Sequence, residues 1–83
     1  MDWTVYILCC ADDTLYTGIT NDLPNRLAAH ESGKGAKYLR GRTPFSLVYT
    51  ETHPGKSEAL KRELKIKGLS RADKLNLCFT SNR

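Results

Sequence analysis

Long apolar runs, cysteines in pairs and a surplus of acid are all missing from this sequence, and each absence removes a class of protein. No hydrophobic stretch approaches the roughly 18 residues that would suggest a membrane span. No leader-like segment stands at the start: Met1-Asp2-Trp3 runs straight into strand-type sequence, so no signal peptide is expected. Cys9, Cys10 and Cys78 form neither an even set nor a C-x-x-C motif. As strand neighbours, Cys9 and Cys10 point to opposite faces, which suits neither a disulfide nor a shared metal. Reduced thiols in a cytoplasmic protein are the expectation. Repeats, low-complexity tracts and breaks in composition are also lacking, so residues 1–83 are expected to form one domain. A domain near this size buries only about 60% of the surface its unfolded chain exposes, which leaves few core positions for function. The shortage of acid gives a formal net charge of +4, which favours anionic partners, nucleic acid first.

What is present begins with two strand-like segments. Trp3 to Cys10 alternates and is rich in Val, Ile, Tyr and Trp, and Leu15 to Thr20 resumes the pattern after turn chemistry at Ala11-Asp12-Asp13-Thr14. Parity then makes a specific prediction. In a regular hairpin, Tyr6 and Tyr16 share a face only if the loop is odd, with Ala11-Asp12-Asp13 or Asp12-Asp13-Thr14 at its tip. The first of these registers puts Gly18 opposite Tyr6, and glycine inside a strand marks a bulge or a close approach.

Asn21 or Asp22 is a good helix cap, and Pro24 is tolerated in a first turn. The helix should run to about Ser32, with Gly33 as its stop. Leu23, Leu27 and His30 make its inward stripe, with Arg26 at the shoulder and on the same face as His30. Gly33 to Thr43 is glycine-rich and lacks acid. It carries Lys34, Lys37, Arg40 and Arg42, with Tyr38 between them. The glycine-lysine-serine/threonine ending of a P-loop is absent. A basic loop with one aromatic suits backbone contact with nucleic acid; a solvated loop in which Tyr38 packs locally is the alternative.

Phe45 to Thr52 reads as a third strand, ended by His53-Pro54-Gly55. A helix capped at or near Ser57 follows and extends to about Gly68. Its wheel puts Lys61, Arg62 and Lys65 outside and Ala59, Leu60, Leu64 and Ile66 inside, with Glu63 near the centre of the apolar stripe. A carboxylate there must meet a cation, whether arginine, lysine or metal, because unpaired burial is costly. Ser70 to Cys78 reads as a last helix capped by Ser70 and packed by Leu75, Leu77 and Phe79, with Thr80 to Arg83 as a frayed end.

Val5-Tyr6, Tyr16-Thr17-Gly18, Arg26 four residues before His30, and Glu63 in a late helix together resemble the GIY-YIG nuclease family. Tyr16 to Thr20, Gly33 to Tyr38 and Arg62-Glu63 resemble its small, single-domain bacterial, UPF0213-like branch. The resemblance spans nearly the whole chain. It implies an α+β fold, a small three-stranded antiparallel sheet flanked by helices in the order β-β-α-β-α-α. It also implies metal-dependent endonuclease-type hydrolysis of DNA. By motif match, Arg26 contacts the scissile phosphate, Glu63 holds a divalent ion (Mg2+ or Mn2+), and Tyr6 or Tyr16 activates the attacking water. His30 carries a proton or orients a tyrosine. Thr4 stands in place of the first motif glycine, and Ile19 and Thr20 follow Gly18 where some members carry a lysine. Asn76 is a loose positional match to a late asparagine of some nucleases.

The residue types fit that chemistry. Guanidinium offers a planar donor fork to phosphate oxygens. Magnesium binds through one or two carboxylates and keeps several waters, so one glutamate suffices. A phenol of ordinary pKa, roughly 10, is a poor base at neutral pH and needs a cation beside it. So small a scaffold has little surface for reading sequence, since a specific DNA-binding module buries roughly 600–1,000 Å². Structure- or end-directed cleavage is therefore expected. The alternatives are a non-catalytic nucleic-acid-binding module on the same scaffold and an adaptor acting through protein contacts.

Overall fold

The computed structural model describes residues 2–39 and 41–81. Its elements are β1 (Trp3–Cys10), β2 (Leu15–Thr20), α1 (Leu23–Glu31), β3 (Phe45–His53), α2 (Lys56–Lys67) and α3 (Arg71–Ser81), with a short 3₁₀ turn at Lys37–Leu39. The strands make one antiparallel sheet in the order β2-β1-β3, the α+β arrangement expected.

β1 lies at the centre and separates two cores. Val5 and Ile7 point to one side and join Tyr49, Ala59, Ile66 and Cys78 beneath α2 and α3. Tyr6 and Leu8 point to the other and join Cys10 and Leu39, with Leu23 and Leu27 of α1 and Phe45 packed against them. Val5, Tyr6, Ile7 and Leu8 have no exposed surface at all. Burying each aliphatic one contributes about 1.5–3 kcal/mol. Trp3 packs at the end of the α2 side, with Lys56 Nζ 5.2 Å from its ring centroid. Cys10 and Cys78 are buried, Cys9 is partly so, and all three thiols are free.

The hairpin takes the three-residue loop Ala11-Asp12-Asp13. Cys10 N–H donates to Thr14 O at 2.9 Å, Asp13 N–H donates to Cys10 O at 2.9 Å, and Asp13 adopts φ 66°. A loop that ends on a left-handed residue matches the twist of the two strands. Tyr6 accordingly pairs with Gly18 and Leu8 with Tyr16, so both tyrosines face α1.

α1 starts as expected. Asp22 caps it by accepting from Asn25 N–H at 3.4 Å, and Pro24 sits in the first turn. Ser32 closes the helix and Gly33 follows at φ 79°. Gly55, a near neighbour of Ser57, is the N-cap of α2 and makes no side-chain capping bond. The ends of two elements differ from expectation. β3 runs one residue further, to His53, and α3 continues through Thr80 and Ser81, where a frayed end was expected. Asn82 and Arg83, the rest of that expected end, lie outside the described residues.

A further difference is the face that α2 buries. Ala59 and Ile66 are fully buried, but Leu60 and Leu64, expected inside, are 39% and 67% exposed. The small Ala59 lets the helix backbone approach the sheet, and the leucines fall around its flank. Arg62, expected outside, turns inward toward β3. In α3, Ser70 Oγ accepts from Asp73 N–H at 3.1 Å as a cap, and Leu77 and Cys78 pack, whereas Leu75 and Phe79 are exposed.

β3 carries a bulge: Ile7 pairs with Tyr49 but Leu8 with Leu47, so Val48 is the extra residue. One inserted residue switches the side on which everything beyond it points. Phe45 thus faces α1, while Tyr49, Glu51 and His53 face α2.

Candidate active site

The site grows from His30. Its Nδ1 accepts the Ala36 N–H at 3.2 Å, which leaves the ring proton on Nε2. Nε2 lies 2.8 Å from Tyr6 Oη and donates to it. Gly35 makes this possible, because a Cβ there would stand only 2.0 Å from His30 Nδ1. The glycine-rich loop therefore folds over the imidazole and fixes its tautomer. Burial, reinforced by the charge of Arg26, pushes His30's pKa below its usual value and keeps the ring neutral.

Tyr6 Oη is the hub. Besides His30, Arg26 and Tyr16 act on it from nearby, Arg26 drawing its pKa down and Tyr16 raising it. Burial pushes the Tyr6 phenol up to about 12, outweighing Arg26. The ring centroids of Tyr6 and Tyr16 are 6.3 Å apart, and Tyr16 meets His30 edge-on at 5.6 Å. Gly18 completes the packing: a Cβ there would lie 2.6 Å from Tyr6 Oη. Four of the residues singled out from sequence, Tyr6, Tyr16, Arg26 and His30, are thus brought together.

The basic loop meets this cluster through Tyr38, whose ring stacks on Tyr16 at 5.8 Å. Lys34 and Lys37 are exposed. Arg42 is occupied within the protein: its Nε donates to Tyr38 O at 2.7 Å, its guanidinium lies 4.4 Å from the Tyr38 centroid, and it pairs with Asp12 at the hairpin tip. Arg40 lies outside the described residues.

Glu63 stands apart. α2 packs on the opposite side of the sheet from α1, and Glu63 sits in its buried stripe with its side chain 14% exposed. The cation it meets is Lys67, with Nζ 3.7 Å from Oε2. Lys67 in turn lines a cavity with Tyr16, at the free edge of β2. Among the described residues, no group of three or more His, Cys, Asp and Glu side chains converges to hold a metal. One carboxylate with no second ligand beside it fits only a hard ion that keeps most of its waters, such as magnesium or manganese, and does not fit zinc. Asn76 is exposed on α3.

A second polar group, unforeseen from sequence, lies under α2. Glu51 receives Arg62 Nε at 3.0 Å on both carboxylate oxygens, and also bonds Tyr49 Oη and His53 Nε2. Burial opposes its ionisation, but these donors outweigh burial and hold its pKa below the usual carboxylate value. Glu51 is fully committed, and the group fastens β3 to α2. Sequence reading also passed over Gly35, Ala36, Lys67 and Lys74. The glycines between the loop's lysines signalled the first two; no local pattern signalled the lysines, which stand on different helices.

A sheet, an arginine-bearing helix and two tyrosines on one hydrogen-bonded hub define the class. The model of the GIY-YIG catalytic domain matches residues 2–76, and the chain belongs to the GIY-YIG family, a family of nuclease-type hydrolases. Within it the chain is similar to UPF0213 proteins. UPF0213 protein NP_0776A of Natronomonas pharaonis is 57% identical over 76 residues, 92% of this chain and 89% of that protein. UPF0213 protein OB0043 of Oceanobacillus iheyensis is 56% identical over 73 residues, 88% of this chain and 85% of that protein. The solution NMR structure of UPF0213 protein BH0048 from Bacillus halodurans is 52% identical and covers 93% of this chain and 82% of that one, with a TM-score of 0.61.

Proposed function

We propose that this chain hydrolyses phosphodiester bonds in DNA as a metal-dependent endonuclease, directed by the structure or ends of its substrate rather than by a fixed sequence. The observation that carries the reading is the Tyr6 hub, where His30 holds the phenolic oxygen, Tyr16 packs beside it and the Arg26 charge acts on both Tyr6 and His30.

Tyr16 is the base in this reading. Tyr6 is buried, and its pKa is pushed too high for it to take a proton from water. His30 Nε2–H donates to Tyr6 Oη and so holds the Tyr6 phenol in place beside Tyr16. Arg26 adds positive charge beside both rings and offers the rest of its fork to the scissile phosphate. Glu63 would hold magnesium or manganese, which when bound polarises the phosphate and stabilises the leaving oxygen. Lys34, Lys37 and Tyr38 supply the exposed, charged part of the loop along which the backbone would run. The free thiols support a cytoplasmic location.

The alternative is a nucleic-acid-binding module without catalysis, favoured by the pairing of Glu63 with Lys67 rather than with an active-site group. Labelled single-stranded, duplex, flapped and branched DNA decides between them, incubated with magnesium, manganese or chelator. Arg26→Ala should lower the rate by about 10²–10³, typical of losing one transition-state donor. Glu63→Gln should abolish metal dependence. Salt-sensitive binding without cutting would establish the module instead. Cutting that survives both substitutions would assign it to a contaminant.

A further inference from the structure

Two lysines play no part in that chemistry yet border it. Lys67 of α2 and Lys74 of α3 line a cavity of about 240 Å³ with Leu15, Tyr16, Thr17 and Tyr38. The cavity lies against β2, the outer strand of the sheet, and Tyr16 forms part of its wall.

Every charged group in its wall is a cation. Two ammonium groups from different helices line one concavity, and a concavity lined by one sign of charge draws in the opposite ion. Their only carboxylate among the described residues is Glu63, 3.7 Å from Lys67; no ion pair there involves Lys74. The remaining wall is the stacked pair of tyrosine rings, Leu15 and the buried Thr17. An anion flanked by a flat or apolar group satisfies both parts of that wall. A phosphodiester with its sugar and base has this composition, and aromatic side chains stack bases whatever their identity.

We propose that this cavity is a second phosphate subsite, which holds the phosphodiester next to the one cut at Arg26 and Tyr16. The inference rests on the nuclease reading for its place in the reaction, but the binding site itself is tested without catalysis. Lys67 exchanges its weak pairing with Glu63 for the phosphate, and Lys74 closes on it from the other helix. Holding the neighbouring phosphate fixes which bond reaches Tyr16, independent of sequence.

The test is a titration of the 15N-labelled chain with a thymidine dinucleotide, in chelator, followed by NMR. Saturable shifts are expected at Leu15, Tyr16, Thr17, Lys67 and Lys74. Lys67→Met and Lys74→Met should each weaken binding roughly tenfold, the scale of one charge-assisted contact. Lys65→Met, which removes an equal charge from the exposed side of α2, should leave it unchanged. The unliganded spectra of the variants verify that each is folded. Shifts absent from the cavity, or a Lys65 variant as weak as the others, would overturn the subsite. Cavity shifts in a protein that cuts no DNA would keep the subsite and remove the nuclease reading; cutting without them would do the reverse.

Discussion

Replacing Gly18 with alanine adds one methyl group where the structure has no room for it. The new Cβ would stand 2.6 Å from Tyr6 Oη, 2.7 Å from Tyr6 Cζ and 3.1 Å from Tyr16 Cε2. Ordinary contact begins near 3.4 Å, so the end of Tyr6 must withdraw by about 0.8 Å. That end is not free to move, because Tyr6 has no exposed surface and its hydroxyl is tied to His30 at 2.8 Å. Overpacking of this kind costs about 1–3 kcal/mol. The lower entropy of an alanine-containing unfolded chain offsets only about 0.4–1 kcal/mol. At roughly 4–8 °C per kcal/mol for a domain of this size, Tm should fall by about 5–15 °C. The same displacement moves the hydroxyl that positions Tyr16 by most of an ångström, for which a loss of about 10²-fold in rate is expected. Thermal melts and single-turnover cleavage measure the two effects. A variant that melts and cuts like the parent would refute the close packing of Gly18 on Tyr6.

Burial and Arg26 hold His30's pKa below its usual 6.5, so near and below that pH the unfolded chain binds a proton that the folded chain excludes. Stability is therefore full above pH ~6.5 and declines as pH falls below it, with a slope no steeper than about 1.4 kcal/mol per pH unit. Urea melts between pH 5 and 7.5 should show the decline and His30→Gln should flatten it; a flat parent curve would contradict the argument. Arg62→Ala strips Glu51 of two hydrogen bonds and should cost about 1–3 kcal/mol in urea while leaving cleavage unchanged. Glu63→Gln breaks only an i,i+4 pair and should cost no more than about 0.5 kcal/mol, so a larger loss in its melt would make Glu63 a structural residue.

The parts legible from sequence were those fixed by neighbours along the chain. Strand parity placed Gly18 opposite Tyr6, and the Asp22 cap, Pro24 and the Leu23-Leu27-His30 stripe defined α1. The choice between two hairpin loops turned on Asp13 accepting a left-handed backbone, which composition alone left open. Misread parts depended on long-range packing. A wheel weights Leu60 and Leu64 above Ala59, but the approach of helix to sheet favours the smaller residue. The Glu51–Arg62 pair requires a bulge that no local pattern in β3 announces. Arg42 reads as a free phosphate contact until Asp12, thirty residues earlier, is folded beside it. The lysines and glycines of the loop invited one explanation, yet Gly35 serves the histidine ring.

Because β1 alone separates the two cores, the molecule carries a separate optical reporter on each side of one strand. Trp3, the single tryptophan, sits with the α2 and α3 side and senses its unpacking by fluorescence. Three of the four tyrosines, Tyr6, Tyr16 and Tyr38, sit with α1 and weight near-ultraviolet absorbance toward that side, with Tyr49 on the other. Val5 and Ile7 alternate with Tyr6 and Leu8 along the same backbone, so neither core can loosen without shifting the wall of the other. Denaturation curves from the two chromophores should superimpose, as a two-state transition requires. The hinge-free strand that positions the hub tyrosine thereby makes the fold yield as one unit.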